Sequence, residues 1–146
     1  MVIPFTDQEM QNAWRQNRAA SNHTSRTNAH RLLLFYAVEC GLKAILMRRQ
    51  GIKRTDLCPT IAEAQHNINK LLDSLGAGGA LSLPKEIVMK QIKDTRNNKK
   101  DRKLNPGQIN QMWRYGGCCI KDPKDQDVEK KLLEIVKWIE GELDRL

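Results

Sequence analysis

The chain has 146 residues, of which 40% are apolar and 29% charged, enough for one globular domain over residues 1–146 with a core that holds without staples. There is no run of roughly 18 apolar residues, so a membrane-spanning helix is excluded. The opening MVIPFTDQEM has neither a basic n-region nor a long apolar h-region, so no secretory signal is expected and the expected location is the cytoplasm.

The net charge of +8 is uneven: residues 1–54 carry +6, residues 55–120 carry +4 and residues 121–146 carry −2. A basic surface favours polyanions such as RNA, DNA or nucleotides, although basic proteins without such ligands are common. The four cysteines are Cys40, Cys58, Cys118 and Cys119. No C-x-x-C pair exists to seed a zinc site, and adjacent Cys118 and Cys119 are awkward ligands, so reduced thiols and no metal are expected.

In chain order, a first helix is expected from Asp7 to about Asn22. Thr6 is its N-cap and Glu9 completes a capping box. Met10, Ala13, Trp14 and either Asn17 or Arg18 form its inward stripe. SNHTSRTN reverses the chain. The second helix, from about Arg26 to Gln50, is the one the others must cover. Leu32, Leu33, Tyr36, Val38, Cys40, Ala44, Ile45 and Met47 coat most of its circumference. Gly51 suits a left-handed C-cap, and Arg48 and Arg49 suit the negative end of the helix dipole. Gly41 permits a close helix contact.

Glu39 and Lys43 interrupt this apolar run. They are four apart with the acid first, the spacing that pairs side chains on one helix face. Two readings stand: a structural ion pair at the edge of the core, or a polar site inside a helical bundle.

A third helix is expected from Ile61 to about Leu75, capped by Thr60. GAGGALSLP breaks the chain, and a fourth helix follows Pro84, from about Lys85 to Thr95, with Ile87, Val88 and Ile92 inward. NNKKDRKLN is expected to be an exposed loop. Lys90 to Lys103 holds seven basic groups (Lys90, Lys93, Arg96, Lys99, Lys100, Arg102, Lys103) against two acidic ones, the densest positive patch. It is either a solvated face or a phosphate-contacting surface. Pro106 to Tyr115 reads as a short helix ending at Gly116-Gly117. The last helix runs from about Lys124 to Leu146 on the stripe Val128, Leu132, Ile135, Ile139 and Leu143. No period-two alternation is evident, so no sheet is expected. The expected fold class is all-α, an antiparallel up-and-down bundle of about five helices.

No P-loop or dinucleotide fingerprint is present, so no cofactor is expected. The histidines are His23, His30 and His66. His66, in AQHNINKLL, is either structural or an acid–base group. Arg114 and Tyr115, before two glycines, form a second polar cluster. Arg114 can hold a phosphate with two hydrogen bonds or pair with a carboxylate such as Glu39.

RLLLFYAVECGLKAILMRRQG, AQHNINKLLDSL and NQMWRYGG together resemble the HEPN superfamily, over roughly Arg31 to Gly117. The resemblance implies a helical bundle that usually dimerises. It also implies either a metal-independent endoribonuclease of toxin–antitoxin, phage-defence or CRISPR-associated systems, or a module that only binds nucleotides or proteins. The family's Arg–His motif has one spacing match, Arg18-Ala-Ala-Ser-Asn-His23, in the first helix rather than late in the fold. Some members carry an acid and a lysine on the second helix, as Glu39 and Lys43 are here, although position 44 is Ala where a basic residue can follow. The expected catalytic set is Glu39, Lys43, His66 and Arg114. The expected nucleic-acid contacts are Arg48, Arg49, Lys93, Arg96, Lys99, Lys100, Arg102, Lys103 and Tyr115. The expected partners are RNA or another polyanion, a second copy of the chain, and an antitoxin or defence-system protein. The alternative is a non-catalytic nucleic-acid- or protein-binding module.

Overall fold

The computed structural model describes residues 3–146. Its elements are α1 (Asp7–Ser21), α2 (Asn28–Gln50), α3 (Pro59–Ala64), α4 (Ile68–Leu75), β1 (Ile87–Lys93), β2 (Lys99–Leu104), α5 (Ile109–Arg114) and α6 (Asp125–Asp144). The chain is mostly helical. The expectation of an all-α fold fails at one place, the two-stranded antiparallel sheet formed by β1 and β2. Among the described residues no helix is long and apolar enough to cross a membrane.

Helix α2 is the axis of the molecule, packed by α1, α4, α5 and α6. Leu34, Phe35, Ala37, Val38, Leu42, Ala44, Ile45, Leu46 and Met47 are buried along its length. Burial on several sides is why its apolar residues spread around the cylinder. It ends as its sequence predicts: Gly51 adopts φ 65°, and its amide and that of Ile52 return to carbonyls of the last turn. Gly41 lies where helices meet: an added Cβ would come within 2.9 Å of Ile139 Cγ2 and Trp14 Cε3. Thr6 and Glu9 form the expected capping box of α1, whose Trp14 is buried. Of the two candidates for its inward stripe, Asn17 is half-buried and Arg18 exposed. In α6, Val128, Leu132, Ile135 and Ile139 are buried as their spacing predicts.

Two stretches depart from expectation. The third helix is not continuous. It breaks at Gln65, which takes φ 51°, and restarts when the Asn67 side chain accepts from Lys70 N at 3.2 Å. His66 sits in that break. The expected fourth helix and the loop after it form a hairpin instead. Asp94 starts its turn by accepting from the amides of Arg96 and Asn98, and Asn97 takes the left-handed φ of 66°. A third segment fixes the hairpin's base: Ile120 N donates to Val88 O at 2.8 Å, and Met89 bridges to Cys119. The rest of the hairpin projects outward, exposed from Lys90 to Asp101.

Candidate active site

Positions 36, 39, 40 and 43 of α2 lie on one helix face. Tyr36, Cys40 and Lys43 are half-buried and Glu39 is 7% exposed. The α3–α4 break sets His66 against this face, and α5 sets Arg114 against it.

Glu39 is the centre. Its Oε2 accepts from Lys43 Nζ at 2.9 Å, and its Oε1 lies 2.8 Å from His66 Nδ1. Burial pushes the Glu39 carboxyl up, but the hydrogen bond from His66 and the charge and hydrogen bond of Lys43 outweigh it, and the group is held below its ordinary range. The hydrogen bond to Glu39 raises His66 above its ordinary 6.5, against opposing effects of burial, Lys43 and Arg114. The His66 side chain is 49% exposed. With Nδ1 on Glu39, its Nε2 is the ring nitrogen left to exchange a proton with a ligand. The neighbouring Cys40 thiol is pushed to about 11 by burial and by Glu39, so it is neutral.

Arg114 is placed by its neighbour in sequence. Trp113 is buried edge-on to Phe35 at 6.5 Å, and its indole N–H donates to Asp125 Oδ1 of α6 at 2.8 Å. With α5 anchored there, Arg114 reaches outward and donates to the Tyr36 hydroxyl, its guanidinium 5.9 Å from that ring's centre. The Tyr36 and Tyr115 hydroxyls raise its pKa further, so it is a permanent cation. The sequence left open a pairing of Arg114 with Glu39. The hydrogen bonds of the Glu39 carboxylate go instead to Lys43 and His66.

The structure therefore brings Glu39, Lys43 and His66 into direct contact and sets Arg114 beside them through Tyr36. The other expected residues are distributed differently. Lys93, Arg96, Lys99, Lys100 and Lys103 are exposed on the hairpin, and Arg102 is half-buried there with its Nε on Lys90 O. Tyr115 is 78% exposed at the end of α5. Arg48 is exposed in the last turn of α2. Arg49 is committed to the fold: it holds Glu142 Oε2 at 2.7 Å and Leu75 O at 2.8 Å and stacks over Trp138. Arg18 and His23 are likewise engaged, Arg18 with Glu140 and Trp14, His23 stacked on His30 at 4.8 Å. They line a cleft of about 620 Å3 beside α1 and α6, where Arg26 is answered by Glu129.

Two residues of the site region escaped the sequence analysis. Tyr36 was counted only as part of the apolar coat, although it is the group on α2 that Arg114 touches. Asn110 is 2% exposed and its Oδ1 has no hydrogen-bond partner among the described residues. It precedes Arg114 by one helical turn, and that i,i+4 spacing was the available signal. No three His, Cys, Asp or Glu side chains cluster as a metal site among the described residues. No family model, curated protein or solved structure matches the chain.

Proposed function

We propose that this chain is a HEPN-like domain that binds single-stranded RNA and cleaves it at the Glu39–His66–Arg114 cluster. The observation that carries this reading is the bond between a buried carboxylate and a half-exposed imidazole, 2.8 Å long. A buried acid that orients one ring nitrogen leaves the other aimed at solvent as a proton acceptor. His66 Nε2 takes the ribose 2′-hydroxyl proton. The 2′-oxygen attacks phosphorus, the P–O5′ bond breaks, and a 2′,3′-cyclic phosphate and a 5′-hydroxyl result, the leaving oxygen taking a proton from solvent. Glu39 stabilises the imidazolium. Arg114 and the remaining N–H groups of Lys43 hold the phosphate oxygens as charge accumulates on them.

The hairpin supports a polyanionic ligand. Lys93 stands directly opposite Lys99 in the ladder, a like-charge pairing that weakens a sheet. Bound phosphates relieve that repulsion. The HEPN resemblance adds a homodimer and a setting in toxin–antitoxin or phage-defence systems. Leu33, half-buried on α2, is an apolar side chain such a dimer would cover.

A second reading has its own support. Glu39, Lys43 and His66 answer one another's charge, as a structural network in a non-catalytic nucleic-acid- or protein-binding module would. Incubation of the purified protein with RNA and with DNA of the same sequence, in EDTA, separates the two. Cleavage of RNA alone, lost in a folded His66→Ala variant, is expected. Equal cleavage by that variant removes His66 from the mechanism, and RNA binding without cleavage leaves the non-catalytic module.

A further inference from the structure

We infer that the pocket between the hairpin and α5 is a nucleobase subsite, taking a base beside the phosphate that Arg114 holds. This rests on the RNA reading above and adds to it a requirement for an unstacked base and a cause for base preference. The pocket has a volume of about 400 Å3, within the range of small-ligand sites. Its floor is Met89, Leu104 and Met112, the first two half-buried and the third buried. Methionine side chains give a soft apolar surface that accepts an aromatic ring of either size.

Three polar or aromatic groups stand around that floor. Tyr115 follows Arg114 directly and is 78% exposed, so its ring face is open. An exposed aromatic next to a phosphate-binding arginine is the arrangement that stacks bases in single-strand binders. Gln111 is exposed one turn before Tyr115, and its amide offers both a donor and an acceptor to a base edge. Arg102, from β2, faces the pocket across from α5 and brings positive charge for the next phosphate.

The hairpin is seated closely here. At Gly117 an added Cβ would collide with Met89 Cε and lie 3.2 Å from Met112 O. A larger residue there would push the Met89 methyl aside and press on Met112, reshaping the floor. The pocket is thus a product of the same packing that fixes the hairpin's base, and the cationic strands lead away from it as a track for the neighbouring phosphates.

The test is cleavage of a randomised single-stranded RNA pool, with the bases flanking each cut read by sequencing. The wild type is expected to favour one base at one flanking position. Gln111→Ala is expected to flatten that preference, and Tyr115→Ala to raise KM about tenfold. Cleavage with no flanking preference, or with the same preference and KM in all variants, overturns the subsite and leaves the RNA reading standing. Absence of both cleavage and binding by the wild type overturns the two together.

Discussion

His66 Nδ1 lies 2.8 Å from Glu39 Oε1, although one residue is in a helix break and the other inside the central helix of the molecule. The bond raises the histidine above 6.5. A general base works only when neutral, so cleavage should rise with pH through a midpoint above 6.5. Glu39→Gln keeps a hydrogen-bonding group but removes the charge, and the midpoint should then fall toward 6.5. Cleavage rates over pH in both proteins check this, and coincident midpoints would contradict it.

The same pair makes stability depend on pH. Folded His66 binds its proton more tightly than unfolded His66, so its contribution is full below about 6.5 and is lost as pH rises through the folded value. Folded Glu39 binds its proton less tightly, so its contribution is full above its ordinary 4.5 and is lost as pH falls through the folded value. The difference in Tm between wild type and His66→Ala should therefore be greatest between pH 4.5 and 6.5, and shrink as pH rises above 6.5 through the folded value of His66. A difference that is flat across this range would show that the bond does not couple protonation to folding.

Gly41 is required by contact rather than by backbone conformation. Gly41→Ala drives a methyl into Ile139 and Trp14, both from helices packed on α2. Overpacking of this kind costs about 1–3 kcal/mol. Denaturant unfolding of the variant should show that loss with an unchanged slope.

The hairpin lysines should act on binding and not on folding. Lys93→Gln with Lys99→Gln removes a like-charge cross-strand pair, so the fold is kept or slightly strengthened. RNA affinity should fall, and the dependence of log affinity on log salt should flatten by about 0.7 for each lost phosphate contact to a single strand. Titration at several salt concentrations measures both.

Asn110 carries a buried acceptor with no partner among the described residues. Such an atom costs stability, and at 2% exposure no ligand reaches it from solvent. Asn110→Leu should therefore raise stability by roughly 1 kcal/mol. Denaturant unfolding checks this, and a less stable variant would show that the Asn110 amide is needed by the fold.

Much of the frame was legible in the sequence, and for identifiable reasons. Gly51, the Thr6–Glu9 box and the α6 stripe are local signals with local outcomes. Glu39 and Lys43 were legible because charge inside an apolar run demands partners, and His66 proved to be one of them. The hairpin was not legible, because Ile87, Val88 and Ile92 fit a helical stripe as well as a strand whose bulge, between Met89 and Ile92, spoils the alternation. The turn signal in Asp94–Asn98 was present but split between the end of the expected fourth helix and the start of the expected loop. The break at Gln65 has no glycine or proline to announce it. Its one clue was Asn67, a good N-cap residue in the middle of an apparent helix.

The proposal that the Glu39–His66 pair moves a ribose proton is tested most directly with a DNA strand carrying a single ribonucleotide. The wild type should cut it once, 3′ to the ribose, leaving a 2′,3′-cyclic phosphate and a 5′-hydroxyl, and a folded His66→Ala should leave it intact. Cleavage at deoxyribose positions, ends without the cyclic phosphate, or an uncut strand that is still bound would contradict it.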